Sequence, residues 1–369
     1  MSAGLCRVLV LSIFFTEGHG GTPESVLLLA QVLKKSDIVC DVLCRDGLCQ
    51  DVGSLERLPA SDDMGRFAKV GPHLPSYQSV LVAGSWNRQA PQIVLRAALG
   101  GIPIIYAAKG CLCGIEFRRL RDMRRVPYLL LVELWLLLLA RHVVFTSNVE
   151  RRACVLPSLL WRHKVQVIPE PFQGTSLVRP APCDAMTFGF MAEISPRKGL
   201  LELIAGFAAF LACEPGCKVR LKIAGAARRG AETYFRKCRA LAASTGAASS
   251  IDWCGPVRGK ARDSFYASVD LFICPSQFES FGLTPLEALW QGTPVCAGPV
   301  IGVLQYLNPN ASVIRLASLQ PAVIAGALSE FLVNPLVASD WKGRVACVPP
   351  NAEIGAAYGR MLAPPYQEA

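Results

Sequence analysis

Histidine is scarce in this chain, with four among 369 residues. No Cys-x-x-Cys pair occurs, and Cys111 and Cys113 stand too close for ordinary zinc spacing, so no metal centre is expected. A G-x-G-x-x-G fingerprint is missing, which leaves a dinucleotide cofactor without its usual turn. Charged residues make up only 18% against 52% hydrophobic, and this excludes a disordered chain. There is neither a zinc-finger spacing nor an aromatic-basic RNA motif, so nucleic acid is not an expected partner. Long apolar runs are also absent. The greasiest stretch, Val126 to Ala140, contains Glu133 and is shorter than the roughly 20 residues that span a bilayer.

Cysteine is abundant by contrast. The fifteen are odd in number, and the chain is too long for a disulfide scaffold, so most of them read as buried small hydrophobes in a reducing, cytoplasmic compartment. The opening MSAGLCRVLVLSIFF lacks a small-residue cleavage site and reads as a first buried strand rather than a signal peptide. The net charge of +10 favours anionic partners such as phosphorylated small molecules or acidic lipid.

Short runs rich in Val, Ile and Leu alternate with helical stretches. The runs 7–14, 38–44, 79–82, 102–106, 142–146 and 165–168 predict strands, as do 186–191, 219–224, 251–254, 271–274, 294–297 and 313–314. They show no polar alternation, which predicts parallel sheets covered on both faces and an α/β architecture. The Pro-rich run from Gly174 to Asp184 breaks both periods and predicts an interdomain linker. Two halves of similar length, each a doubly wound sheet, would face each other across a cleft, with ligands beyond the carboxyl ends of the strands. The segment from Arg118 to His142 begins basic and turns apolar. Its apolar part predicts a core helix on the first sheet, while Arg118, Arg119, Arg121, Arg124 and Arg125 are placed to touch an anionic membrane surface.

The stretch CPSQFESFGLTPLEALWQGTPV, Cys274 to Val295, sets Glu279 and Glu287 on either side of a glycine turn. A buried strand ends at Pro275, and Thr284-Pro285-x-Glu287 fits a helix start with Thr284 as N-cap and Glu287 completing a capping box. A glycine in such a loop lets backbone amides approach a ligand, and the helix N-terminus adds about half a positive charge. Flanking carboxylates can accept hydrogen bonds from vicinal hydroxyls. Together these point to a sugar phosphate or nucleotide sugar.

This stretch resembles the donor-site signature of family 4 retaining glycosyltransferases of the GT-B fold, P-S-x-x-E-x-F-G-x-x-x-x-E-A followed by G-x-P-V, with every position filled. GFMAEISPRKGLLELIAGF, LKIAGAA, WCGPV, VVFTSNVER and HGGTPESVLLLAQVL resemble further landmarks of the family. The resemblance implies an N-terminal acceptor-side domain over 1–174, a linker over 175–184 and a nucleotide-sugar domain over 185–345. The segment 346–369 would return to the first domain.

It also assigns roles. Glu279 would orient the donor sugar. Backbone amides over Ser280, Phe281, Gly282 and Leu283 would hold sugar and diphosphate, and Glu287 the ribose. Lys198 and Arg197 would meet the leaving diphosphate, while Gly20 and Gly21 would admit it closely. Lys109 would hold a charged or hydroxyl group near the reaction. No Asp-x-Asp is present, so the metal clamp of the other large transferase fold has no ligands, and no cofactor beyond the donor is implied.

The resemblance thus implies transfer of a hexose, with retention, to a glycan or lipid-linked acceptor, and the basic charge with the arginine cluster leans towards an acceptor at the cytoplasmic face of a membrane. The chain departs from the family pattern at three places. Ala192-Glu193 stands for Gly-Arg, Lys109-Gly110 for His-Gly or Arg-Gly, and Pro169-Glu170-Pro171 for Pro-Asn-Gly. Glu193 would repel phosphate unless it points away or pairs with Arg197. Glu170 reads as a structural change near the hinge, and His19 as a stand-in for the missing imidazole or a solvated loop side chain. Glu193 and Lys109 motivate an alternative, a pseudo-transferase that has lost turnover and acts as a partner subunit.

Overall fold

The computed structural model describes residues 6–15, 21–45, 47–60, 71–84, 90–117, 126–174, 185–308, 312–336 and 348–362. The chain divides into two compact units, Met1–Gln173 with Pro349–Ala369, and Gly174–Val348.

The first unit is built on a seven-stranded sheet. Its strands are β1 (Cys6–Leu11), β2 (Ile38–Cys44), β3 (Gly47–Cys49), β4 (Ser79–Ala83), β5 (Ile104–Ala107), β6 (His142–Phe145) and β7 (Val165–Val167), in the order β3-β2-β1-β4-β5-β6-β7. All pairs are parallel except β2–β3. The strands read as unbroken apolar runs because both faces are covered. Val8 and Val10 enter one core with α1 (Gly21–Lys34) and the C-terminal helix Asn351–Leu362, while Leu9 and Leu11 enter the other. Gly355 allows the two helices of the first layer to meet, since a Cβ there would lie 2.8 Å from Val32 Cγ1.

The second core is covered by α2 (Ala90–Leu99) and a helical run over 126–139, called α3. The expected core helix does pack on the first sheet, but only part of it is buried. Leu129, Glu133, Leu136 and Leu137 are buried, but Leu131 is 70% and Trp135 59% exposed. A helix apolar all round has only one face to give to a sheet, and a wide π turn at Leu129–Glu133 sets which face that is. The carboxylate of Glu133 is satisfied by the Tyr106 hydroxyl at 2.6 Å. Strand β3 was absent from the sequence expectations. Three residues carry no periodicity, and its pairing is decided by a hairpin in which Gly47 adopts φ +148°.

The second unit holds a six-stranded, wholly parallel sheet. Its strands are β8 (Met186–Met191), β9 (Val219–Ala224), β10 (Ile251–Gly255), β11 (Leu271–Cys274), β12 (Val295–Ala297) and β13 (Val313–Arg315), in the order β10-β9-β8-β11-β12-β13. Phe188 on β8 sits among Phe207, Phe210 and Phe331 with ring centroids 5.7–6.4 Å apart, which joins the sheet to its covering helices. Strand order reverses between β8 and β11. The loops leaving these two strands therefore diverge and open a crevice at the carboxyl edge of the sheet.

Candidate functional site

The site in the second unit is made from the loops after β8 and β11. After β8 the chain makes a 3-10 turn, Pro196–Lys198, closed by Gly199 at φ +69°. A Cβ on Gly199 would stand 2.0 Å from the Pro275 carbonyl oxygen, so only glycine lets the two loops touch. The Gln277 amide donates to the Arg197 carbonyl at 2.9 Å, a second tie between them. The loop after β11 is held on its other side by the bonds Glu279 N to Val300 O (2.9 Å) and Gly302 N to Glu279 O (3.0 Å).

This framework brings Lys198 and Glu279 together. The ammonium lies 2.6 Å from Glu279 Oε1, and the Ser276 hydroxyl donates to the same oxygen at 2.6 Å. Burial pushes the Glu279 carboxyl up. The charges of Lys198 and Arg197, with hydrogen bonds from Lys198 and Ser276, outweigh that and hold it below the ordinary carboxylate value. The group is thus an ionised acceptor at the carboxyl edge of the sheet. Phe281 is buried against Tyr306 with centroids 5.9 Å apart, which anchors the turn while Ser280, Gly282 and Leu283 stay partly exposed.

The expected helix start is corrected. Helix α8 does not begin after Thr284; it spans Leu283–Trp290, with Gly282 as N-cap at φ +99° and no side-chain cap. A left-handed glycine turns the chain directly into the helix, so Thr284 and Pro285 fall inside the first turn. The amides of that turn lack both an earlier carbonyl and a capping oxygen, which makes them a ready anion site. Glu287 makes no capping box. Its Oε2 accepts from the Tyr266 hydroxyl at 2.7 Å and its Oε1 lies 3.1 Å from Arg262 Nη1. Tyr266 and Arg262, on α7 (Gly259–Ala267), orient this carboxylate.

The repulsion expected from Glu193 is met by Arg228 rather than Arg197, at 3.3 Å between exposed side chains. The backbone here is close-packed, since a Cβ on Gly225 would fall 1.9 Å from the Ala192 carbonyl oxygen.

In the first unit, Gly21 opens α1, whereas Gly20, His19 and the arginines Arg118, Arg119, Arg121, Arg124 and Arg125 lie outside the described residues. Lys109 follows β5 with φ +46°. Its ammonium is 2.7 Å from both carboxylate oxygens of Glu170 and 2.8 Å from Ser25 Oγ, which also donates to Glu170. Glu170 is thus the counter-ion of Lys109. Nearby, Glu150 accepts from the Gly110 amide and from Thr146 N and Oγ1. Burial drives its pKa up despite those bonds.

Sequence reasoning missed the roles of Ser25, Ser276, Arg262 and Tyr266. Only Ser276 carried a signal, as the serine of the Pro-Ser pair. Among the described residues no group of three or more His, Cys, Asp or Glu could hold a metal ion, and no helix is long and apolar enough to cross a membrane.

Residues 180–345 match the family described as glycosyl transferases group 1. The solved structures similar to the chain include sucrose-phosphate synthase from Thermosynechococcus elongatus (TM-score 0.73, 17% identity, 96% of this chain and 98% of that one). They also include the Anabaena protein HepE in complex with UDP and glucose (TM-score 0.71, 16% identity, 97% and 99%).

The chain has the GT-B fold.

Curated proteins similar to the chain include D-inositol 3-phosphate glycosyltransferases. That of Acidothermus cellulolyticus is 31% identical over 196 residues, 50% of this chain and 44% of that protein. That of Stackebrandtia nassauensis is 34% identical over 156 residues, 42% and 35%. The match therefore spans less than half the length of these relatives. In this GT-B protein Lys198, Arg197 and Glu279 lie within the matched residues 180–345, and Lys109 in the first unit.

Proposed function

We propose that the protein is a retaining glycosyltransferase that moves a hexose from a nucleotide diphosphate sugar to a glycan or lipid-linked acceptor. The observation that carries this reading is the Lys198–Glu279 pair set beside the uncapped start of α8. Such a site offers cationic and amide donors to a diphosphate and an ionised acceptor to sugar hydroxyls. The relatives named D-inositol 3-phosphate glycosyltransferase and the neighbour bound to UDP and glucose support the class of reaction and of donor.

In this reading Glu279 orients the sugar and does not attack it. The acceptor oxygen bonds to the anomeric carbon on the face from which the diphosphate leaves. The acceptor hydroxyl proton passes to the departing phosphate oxygen. Lys198, Arg197 and the α8 amides meet the charge that grows on that oxygen. Glu287, positioned by Tyr266 and Arg262, takes the ribose hydroxyls. The leaving group needs no bound cation when these groups neutralise it.

A thermal-shift panel of nucleotide sugars tests the proposal, since a ligand of the folded state raises its melting temperature by mass action. We expect one donor to raise the wild-type transition and to lose its effect in Glu279→Ala. A panel with no response from any donor would refute it.

One observation favours a second reading, a GT-B scaffold without turnover that serves as a partner subunit. Lys109, which stands where family members have His or Arg, is engaged by Glu170 and Ser25. Donor binding without hydrolysis or transfer would select this reading.

A further inference from the structure

The exposed apolar side chains of the protein are unevenly spread. Among the described residues twelve large ones are exposed, and nine come from segments 90–99, 126–139 and 154–160 of the first unit. The buried members of these segments all belong to the core on one face of the sheet, so the nine share its outer side. Leu99, Leu131, Trp135 and Leu159 are each more than half exposed. Solvated helices of a monomer do not ordinarily carry such a surface.

Charge on the same segments has one sign. Within Ala90–Leu99 and 126–164 the only carboxylates are Glu133 and Glu150, and both are buried. The basic residues there are Arg96, Arg141, Arg151, Arg152, Arg162 and Lys164. Lys164 donates to the Leu138 and Ala140 carbonyls at 3.0 and 2.8 Å, which joins the basic 162–164 turn to the end of the apolar α3. Beside it Arg151, Arg152 and Arg162 line an open cavity of about 530 Å³ whose walls include Leu156 and Trp161. None of the three forms an ion pair among the described residues. Guanidinium groups gathered without a counter-ion suit a phosphate, which they grip bidentately.

We infer that this face docks on an anionic lipid bilayer, with the arginine cavity seating a lipid headgroup phosphate and the α2–α3 leucines entering the acyl boundary. The inference rests on the lipid-side acceptor proposed above, and names residues other than the arginines between 118 and 125. Protein partners fit less well. A protein interface of this polarity would need an acidic rim on the partner, whereas an anionic bilayer supplies phosphate beside hydrocarbon.

Co-sedimentation of the full chain with phosphatidylglycerol–phosphatidylcholine vesicles tests it. Wild type should sediment with the mixed vesicles and not with pure phosphatidylcholine. The double variant Arg152→Gln/Arg162→Gln should partition roughly 30-fold more weakly, about fivefold for each arginine. Leu131→Ser/Trp135→Ser, altered only at exposed positions, should also lose partition while its melting temperature holds. Wild-type partition by the arginine variant, no loss in the apolar variant, equal binding to pure phosphatidylcholine, or no sedimentation at all would each overturn the proposal. Displacement from vesicles by millimolar inorganic phosphate would also overturn it, because the cavity would then be a site for free anions. A UDP-glucose thermal shift measured in parallel separates the two readings. Its absence counts against that donor and leaves the vesicle result standing.

Discussion

Lys109 and Glu170, two positions where this chain leaves the family pattern, are one buried ion pair. The ammonium reaches both carboxylate oxygens at 2.7 Å, and the side chains are 4% and 10% exposed. A lysine placed where an imidazole or guanidinium is usual brings a compact charge into a dry site, and the glutamate from the end of β7 answers it.

Each partner alone should therefore be worse than neither. Lys109→Met or Glu170→Gln leaves one charge buried without its counter-ion and should cost about 3–5 kcal/mol. Lys109→Met/Glu170→Met should recover a large part of that loss. A double-mutant cycle by urea unfolding checks this, and additive single effects would contradict it.

Gly199→Ala should be severe for its size. The backbone conformation costs about 1–3 kcal/mol, and the new Cβ would overlap the Pro275 carbonyl at 2.0 Å. The loops after β8 and β11 must part, carrying Lys198 from Glu279. Both a lower melting temperature and loss of the donor-induced thermal shift are expected.

Acid should weaken the second unit through Glu279. Its folded-state pKa lies below the ordinary 4.5. The stability it contributes is complete above that value and is lost as pH falls through the folded pKa. Stability measured against pH below about 4.5 should fall less steeply in Glu279→Gln than in wild type.

Lys198→Ala separates binding from chemistry. If, as proposed, its ammonium meets charge that is greatest in the transition state, turnover should drop about 10²- to 10³-fold. An equal loss in donor affinity, with kcat unchanged, would place its role in the ground state.

Glu193→Gln should change little. The Glu193–Arg228 pair is exposed on both sides, and such pairs contribute roughly 0–1 kcal/mol. A marked gain in donor affinity in this variant would show that the glutamate does oppose the phosphates.

Much of the framework was open to reading because a buried parallel strand needs a continuous apolar run, and such runs stand out. Met186–Met191, Val219–Ala224 and Leu271–Cys274 are observed with the bounds expected. The three residues of β3 had no period to detect. The start of α8 was misplaced by two residues because Thr-Pro-x-Glu is a good capping pattern that Gly282, with its left-handed backbone, preempted. Leucines in α3 were expected inside because hydropathy reports what a side chain prefers, not whether the sheet has room to cover it.

The sequence by itself determined that the chain would form two units built on largely parallel sheets and which loop sets Glu279 and Glu287 about a glycine turn. Apolar runs and glycine turns are local properties that a one-dimensional pattern records. Tertiary structure alone decided which charges meet: Lys198 with Glu279 across 81 positions, Lys109 with Glu170 across 61, Glu287 with Tyr266 across 21. Such pairs depend on strand order at the carboxyl edge of each sheet, and strand order comes from the packing of the whole unit rather than from neighbours in the chain.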